Sequence, residues 1–402
     1  MSKLCITLPP LAPDYSGVAS ALFDMGGMIV IHDASGCTGN YVGYDEPRWM
    51  GSKSAVYCSG LRHMDAVLGR DDKYIDMIVK AAESIRPNFF AFLGSPVPMV
   101  IGTDYKGIAE EVENITGVPS MGFDTKGLDY YDKGISEALI AVLKKFVPAA
   151  MPESFVPKIK AINLVGVTPL DFGNKGNDIF LKKAFEEEGV AVNSVLSMGL
   201  TIDSLIASVN SKLNVVVSYS GLDVARFMKK KYGIPFIAGL PLGNKDKSFI
   251  LRVKELLESV PPVPSDFESN GMSLDKELNK SSSVNILVAG EQVFALAVRN
   301  RLLRMNRGFH VDAAFLYNAA EEYSEAGDRV CKNEGELRAM LNSGKYRKVI
   351  ADPLVGQLIK DRSKIEFYGT PHPALSSKIH WNEIFNYFSS DMEDFLHSIV
   401  KK

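Results

Sequence analysis

The residues best suited to chemistry are thiols, and they are unevenly placed: of four cysteines in 402 residues, three (Cys5, Cys37 and Cys58) fall in the first 58 positions, and Cys331 stands apart. Cys37 occupies a glycine-flanked turn, Ser35-Gly36-Cys37-Thr38-Gly39, a few residues after the apolar run Met28-Ile29-Val30-Ile31. A buried strand there delivers the thiol to the strand's C-terminal end, where open α/β sheets bind ligands. Thiolates are good ligands for iron and zinc, so metal binding suits this turn, with an inert buried thiol as the alternative. The intervals, 31 residues between Cys5 and Cys37 and 20 between Cys37 and Cys58, form no CxxC-type zinc or ferredoxin signature.

Other groups carry weaker signals. His372, between Pro371 and Pro373, and His380, beside Trp381, lie in an irregular segment before the last helix, where each either meets a ligand or satisfies a local hydrogen bond. Gly173-Asn174-Lys175-Gly176 precedes a helix and reads as a plain loop with a helix cap, with an anion met by the helix's free amides as the alternative. Arg299, Arg301 and Arg304, followed by Met305-Asn306-Arg307-Gly308, read as a solvated basic face, with docking of an acidic partner as the alternative. Lys229-Lys230-Lys231 reads as the charged end of a helix. No GxGxxG or GxxxxGK[ST] cradle is present, so any ATP chemistry belongs to another subunit. Nucleophile-elbow, paired-histidine and kinase signatures are absent too.

The elements that must position these residues alternate strand and helix. In a first block, 1–150, a helix from Asp72 buries Ile75, Ile78, Val79 and Ala82, stops before Pro87, and leads to the strand Phe89-Phe90-Ala91-Phe92-Leu93; a second helix near Asp104–Asn114 follows Gly94-Ser95-Pro96. A second block, 151–265, opens with Ala161-Ile162-Asn163-Leu164-Val165-Gly166, and its Tyr232-Gly233-Ile234-Pro235 echoes Thr116-Gly117-Val118-Pro119 of the first. Pro261-Pro262-Val263-Pro264 and Ser281-Ser282-Ser283 suit a linker or exposed crossover. The third block, 266–402, has strands at Val284–Ala289 and Lys348–Ala351, a helix through Arg304, and a closing helix near Ile384–Ile399. The expected fold is therefore α/β, with mainly parallel sheets.

Bulk composition excludes several classes. A 46% hydrophobic content and a formal charge of −3 describe a folded, soluble chain without general affinity for nucleic acid or anionic membranes. No apolar stretch approaches the ~20 residues needed to span a bilayer, and no signal peptide is evident, so cytoplasmic residence is expected. In that compartment the cysteines serve metal binding, redox chemistry or burial, not a disulfide framework.

The run His32-Asp33-Ala34-Ser35-Gly36-Cys37 resembles the cluster-binding turn of nitrogenase component 1 proteins, the group that includes dark-operative protochlorophyllide reductase and related cofactor-assembly proteins. Met64-Asp65-Ala66-Val67-Leu68-Gly69, Val100-Ile101-Gly102-Thr103-Asp104, and Lys212 through Tyr219 followed by Lys231-Tyr232-Gly233-Ile234-Pro235 agree in order and spacing. The resemblance covers nearly the whole chain. It implies three Rossmann-like domains around a central cleft and a paired component 1 subunit, as a homo- or heterodimer or tetramer. It also implies a 4Fe-4S iron–sulphur cluster shared at the subunit interface.

The departures shape what the resemblance implies. Gly94-Ser95-Pro96 stands where fuller sites have a cysteine, and Ser218 stands where the catalytic nitrogenase subunit has the cysteine that anchors its metallocofactor. Cys5 comes earlier relative to Cys37 than the family's first cysteine, and Cys58 replaces a more usual threonine or serine. The implied ligand set is Cys37 with Cys5 and Cys58, and Ser95, Ser218, His372 and His380 are candidate cleft residues. The implied activity is that of a nitrogenase-like reductase subunit, fed by an ATP-dependent iron protein and reducing a small molecule other than dinitrogen. A metallocluster scaffold or a cluster-free binding subunit is the alternative.

Overall fold

The computed structural model describes residues 6–50, 54–148, 159–259 and 284–401. Cys5, both expected linker segments and the block boundaries near 150 and 265 lie outside the described residues.

Three parallel sheets form the frame. The first contains β1 (Met28–Ile31), β2 (Ala55–Cys58), β3 (Phe90–Leu93) and β4 (Ser120–Phe123), in the order β2-β1-β3-β4. The second contains β5 (Ile159–Val167), β6 (Val192–Ser197), β7 (Ser211–Val216) and β8 (Phe236–Ala238), in the order β6-β5-β7-β8. In the third, β9 (Val284–Gly290), β10 (Phe309–Phe315), β11 (Arg329–Val330), β12 (Lys348–Ala351) and β13 (Glu366–Gly369) run β11-β10-β9-β12-β13. Every strand pair is parallel. The fold is thus α/β, with three Rossmann-like units about a central cleft.

Local sequence explains the elements. β1 and β3 are continuous apolar runs, buried throughout, as strands covered on both faces must be. Asp104 caps the helix Tyr105–Thr116 by accepting from the Gly107 amide at 3.0 Å. That helix ends on Gly117 and the helix Leu222–Tyr232 ends on Gly233, with φ of 69° and 71°. The sequence echo is therefore one stop signal used twice, each time before the fourth strand of a sheet with the same order. The helices Asp14–Leu22 and Tyr131–Phe146 touch backbone to backbone: a Cβ on Gly134 would lie 1.9 Å from the Asp14 carbonyl oxygen.

Two expectations need correction. Arg299 and Arg301 do not form a solvated face, being only 2% and 7% exposed. Arg299 pairs with Asp328, and Arg301 bridges Asp246 at 2.9 Å and Glu393 at 2.8 Å. The closing helix is Ser390–Val400, shorter than expected. Tyr387 just before it donates its amide to Asn177 Oδ1 at 2.9 Å and packs among Phe172, Phe294 and Phe385, which holds residues 384–389 out of the helix.

Each sheet has one place where successive connections leave in opposite directions. It lies between β1 and β3, between β5 and β7, and between β9 and β12. Such switch points open crevices at the strands' C-terminal ends.

Candidate functional site

At the first switch point the chain turns sharply after β1. Ser35 adopts φ 113° ahead of the short helix Gly36–Asn40 that carries Cys37, a conformation that costs energy in a residue with a Cβ. Buried Asp33 holds the turn by accepting from the Thr38 amide at 3.0 Å. Cys58 ends β2, beside Ile31 of β1, with its Sγ 3.3 Å from both the Asp33 carbonyl oxygen and the Gly60 amide. Asp33 is thus a common neighbour of Cys37 and Cys58. Burial, then the Asp33 charge, pushes the Cys37 thiol up against the hydroxyls of Tyr15 and Ser95. A bound cation would reverse that preference.

Ser95, immediately after β3, is buried and donates to the His32 carbonyl at 2.8 Å. His32 sits under the same edge, 2.8 Å from Ser59 Oγ, its pKa lowered to about 4 by burial. Cys331 is remote and buried, 3.9 Å from Met340 Sδ, its pKa pushed up to about 12 by burial. Among the described residues no group of three His, Cys, Asp or Glu side chains is arranged to hold a metal ion. The donors of this edge, two partly accessible thiols, therefore fit part of a thiolate-ligated cluster and not a whole one. Ten of the twenty large apolar side chains exposed among the described residues lie between positions 44 and 101, among them Met50, Val67 and Val100 at 89%, 65% and 79% exposure.

Residues from the second and third switch points together line a small cavity of ≈ 20 Å³. Asp171 follows β5, Glu291 follows β9, Asp352 follows β12 and His372 follows β13; all four line it. Asp171 Oδ1 accepts from the Tyr131 hydroxyl and lies 3.2 Å from His372 Nε2, and His372 Nδ1 is 3.0 Å from the Tyr317 hydroxyl. Asp352 accepts from the His372 amide at 2.7 Å. Glu291 caps the helix Gln292–Met305 and accepts from the amides of Tyr219, Val293 and Phe294 at 2.7–3.0 Å. Burial, and next the charge of Asp171, pushes its carboxyl up to about 8 against those amides.

Of the candidate cleft residues, His372 lines this cavity. Ser218, next to the lining residue Val217, is fully buried and donates to the Gly166 carbonyl at 2.7 Å. Gly166 has φ 89°, and a Cβ there would fall 2.7 Å from Ser218 Oγ. His380 lies 2.9 Å from Glu383 Oε1. The loop Gly173–Gly176 ties parts of the fold together, Asn174 donating to the Pro47 carbonyl at 2.6 Å and Lys175 to that of Asn382 at 2.5 Å. Sequence reasoning missed Asp33, Asp171, Glu291 and Asp352. Three of them are the first acidic residue after an apolar strand run, and Asp171 follows four residues beyond Val167.

Residues 13–352 match the family model for nitrogenase component 1 type oxidoreductases. A light-independent protochlorophyllide reductase subunit of Ephedra altissima is 22% identical over 54% of this chain and 43% of its own length. The nitrogenase iron-molybdenum cofactor biosynthesis protein NifE of Methanococcus maripaludis is 27% identical over 52% of this chain and 47% of its own. The chain thus spans less than half the length of these two relatives. The structure of nitrogenase Cp1 at pH 6.5 superposes with a TM-score of 0.66 at 16% identity, covering 100% of this chain and 90% of that one, a likeness of fold. Among the described residues no helix is long and apolar enough to cross a membrane.

Proposed function

The chain belongs to the nitrogenase component 1 type oxidoreductase family, and from that premise we propose that it is one subunit of a nitrogenase-like reductase. In this reading Cys37 and Cys58 are part of the ligand set of a 4Fe-4S cluster shared with a second component 1 subunit. Cys5 is a further candidate ligand. The bound cluster supplies one-electron redox chemistry at low potential. The electrons come from a separate ATP-dependent iron protein, and the product is a reduced small molecule.

The observation that carries the reading is that Cys37 and Cys58 are both neighbours of Asp33 at the first sheet's C-terminal edge, Cys58 through the Asp33 backbone carbonyl and Cys37 through the Asp33 carboxylate. Two thiols from each of two chains make the four that such a cluster takes. The exposed apolar side chains between positions 44 and 101 belong to the same part of the chain as Cys37 and Cys58, and their number favours a partner there. Dinitrogen reduction is not part of the proposal. Ser218 is a poor iron ligand, and its hydroxyl is already committed to the Gly166 carbonyl.

Anaerobic purification, iron analysis and electron paramagnetic resonance test the reading, with about two iron atoms per chain expected. A Cys37→Ala protein that kept the full signal would sink the ligand assignment, and iron-free anaerobic protein would favour a cluster-free binding subunit. A scaffold that receives and hands on a metallocluster is the second reading, favoured by the incomplete donor set among the described residues. A scaffold loses its iron to an acceptor protein, whereas a reductase turns over electrons with its ATPase partner.

A further inference from the structure

Asp33 lies between the two segments that carry the described thiols of the first switch point, and it is 2% exposed. Its carbonyl oxygen accepts from the Leu61 amide at 2.8 Å and the Ser59 hydroxyl at 3.2 Å, and lies 3.3 Å from Cys58 Sγ. Its amide donates to Ser59 Oγ at 3.0 Å. The side chain serves the other segment: Oδ2 accepts from the Thr38 amide at 3.0 Å and from the Thr38 hydroxyl at 3.3 Å. Main chain and side chain of one residue thus tie the end of β2, and the loop after it, to the helix that carries Cys37.

Holding the turn does not require a charge. Asparagine and serine accept from helix-terminal amides about as well as aspartate does, whereas a buried carboxylate is costly unless a cation offsets it. Asp33 has no ion-pair partner among the described residues. His32, next to it, supplies no offset, because burial outweighs the Asp33 charge and lowers the imidazole pKa to about 4, leaving the ring neutral at pH 7. The charge therefore falls on the thiols: after burial, it is the largest influence raising the Cys37 thiol.

We propose that the Asp33 carboxylate lowers the reduction potential of the iron–sulphur cluster held by Cys37 and Cys58. The inference rests on the assignment of those two cysteines as ligands and adds to it. Net charge is among the determinants of a cluster's potential. An electron arriving from the iron protein is repelled by a fixed negative charge in a poorly screened interior, so the oxidised form is favoured. The reduced form is then the stronger donor, which suits a subunit that reduces a small molecule. Asp33 is not itself a ligand in this account, because its Oδ2 is turned back on Thr38. It acts through the thiols it lies beside and is a positioning residue.

Redox titration of the anaerobically purified, iron-loaded protein, followed by electron paramagnetic resonance, tests it. Asp33→Asn keeps an acceptor for Thr38 and removes the charge. It should move the redox equilibrium about tenfold toward the reduced form, a rise of ~59 mV for a one-electron couple. Asp33→Glu keeps the charge, and Thr38→Val loosens the same turn without touching it; both should stay near the wild-type potential. Iron-free wild-type protein overturns the ligand assignment and this inference with it, whereas an iron-loaded Asp33→Asn protein with the wild-type potential overturns this inference alone. An equal rise in Thr38→Val traces the shift to the loosened turn and overturns it too. Loss of fold or of iron in both Asp33→Asn and Asp33→Ser makes holding the turn the whole of the residue's role, and the inference falls.

Discussion

Glu334 holds the segment that follows Cys5, and removing its carboxylate should release that segment alone. Its Oε2 accepts from three consecutive amides, those of Ile6, Thr7 and Leu8, at 2.9, 2.7 and 2.9 Å. Arg338 braces the clamp, donating to Glu334 Oε1 at 2.6 Å and to Thr7 Oγ1 at 2.8 Å. Hydrogen bonds to a charged acceptor contribute about 1.5–3 kcal/mol each, but three donors on one oxygen do not add fully. About 3 kcal/mol for the whole clamp is a reasonable magnitude, equivalent to roughly 100-fold in the opening equilibrium. Glu334→Ala should therefore speed hydrogen exchange of the amides of residues 6–8 about 100-fold, while the amides of β9 and β12 keep their wild-type rates. Burial pushes the Glu334 carboxyl up, but the amides and Arg338 outweigh it and hold it at about 2. The wild-type clamp is thus fully present above the ordinary glutamate value and is lost as pH falls toward 2. Exchange in residues 6–8 changing by less than threefold in the variant would refute the clamp. Iron content adds a functional readout: if Cys5 is a cluster ligand, the freed segment should lower iron retention, and if it is not, retention should match wild type.

Two further outcomes follow from buried charge. Glu393→Ala removes one of the two carboxylates that pair the Arg301 guanidinium, which is 8% exposed in its side chain, and leaves Asp246 alone to hold it, so it should destabilise by about 1.5–3 kcal/mol in denaturant unfolding. The double variant Arg301→Met with Glu393→Leu should recover most of that loss, and an equally unstable double variant would contradict the account. Burial raises the Asp45 carboxyl to about 7 despite hydrogen bonds from Ser16 and Asn40. A raised carboxyl stabilises the fold below its unfolded value and ceases to do so as pH rises through about 7. Asp45→Asn should therefore flatten the drop in urea midpoint between pH 5 and pH 8.

How much of this is legible in the sequence depends on whether the signal is local. β1, β3, β5, β9 and β12 are apolar runs that declare themselves, and the glycine-flanked turn after β1 puts Cys37 at a strand end on sequence grounds alone. Apolar spacing overextends the closing helix because Ile384, Tyr387 and Phe388 are buried by long-range packing, not by helical periodicity. Arg299 and Arg301 look solvated in the sequence because their partners, Asp328, Asp246 and Glu393, are 29 to 92 residues away. The same distance hides the acidic cavity. Asp171, Glu291, Asp352 and His372 come from four strand ends in two sheets, and nothing local marks them as neighbours.

The two serines that depart from the family pattern are not equivalent, and restoring cysteine separates them. Ser95 lies beside the Cys37 thiol, with its hydroxyl close enough to favour the thiolate, and the edge around it already holds Cys58. A sulphur at position 95 adds a third soft ligand to two, and iron affinity rises with each thiolate supplied in place. Ser218 has no such company. Both serines are fully buried and both hydroxyls donate to a backbone carbonyl, but the cavity lined by Val217, next to Ser218, carries carboxyl groups and aromatic rings and, among the described residues, no thiol. Ser95→Cys should therefore hold more iron per chain than wild type after anaerobic reconstitution and desalting, with a changed paramagnetic resonance spectrum. Ser218→Cys should hold no more than wild type and lose stability, because a larger sulphur must fit in a fully buried place where the hydroxyl now lies 2.7 Å from the Gly166 carbonyl oxygen. Equal iron gain in both variants would mean that thiols alone, and not their placement at the first switch point, decide where a cluster binds.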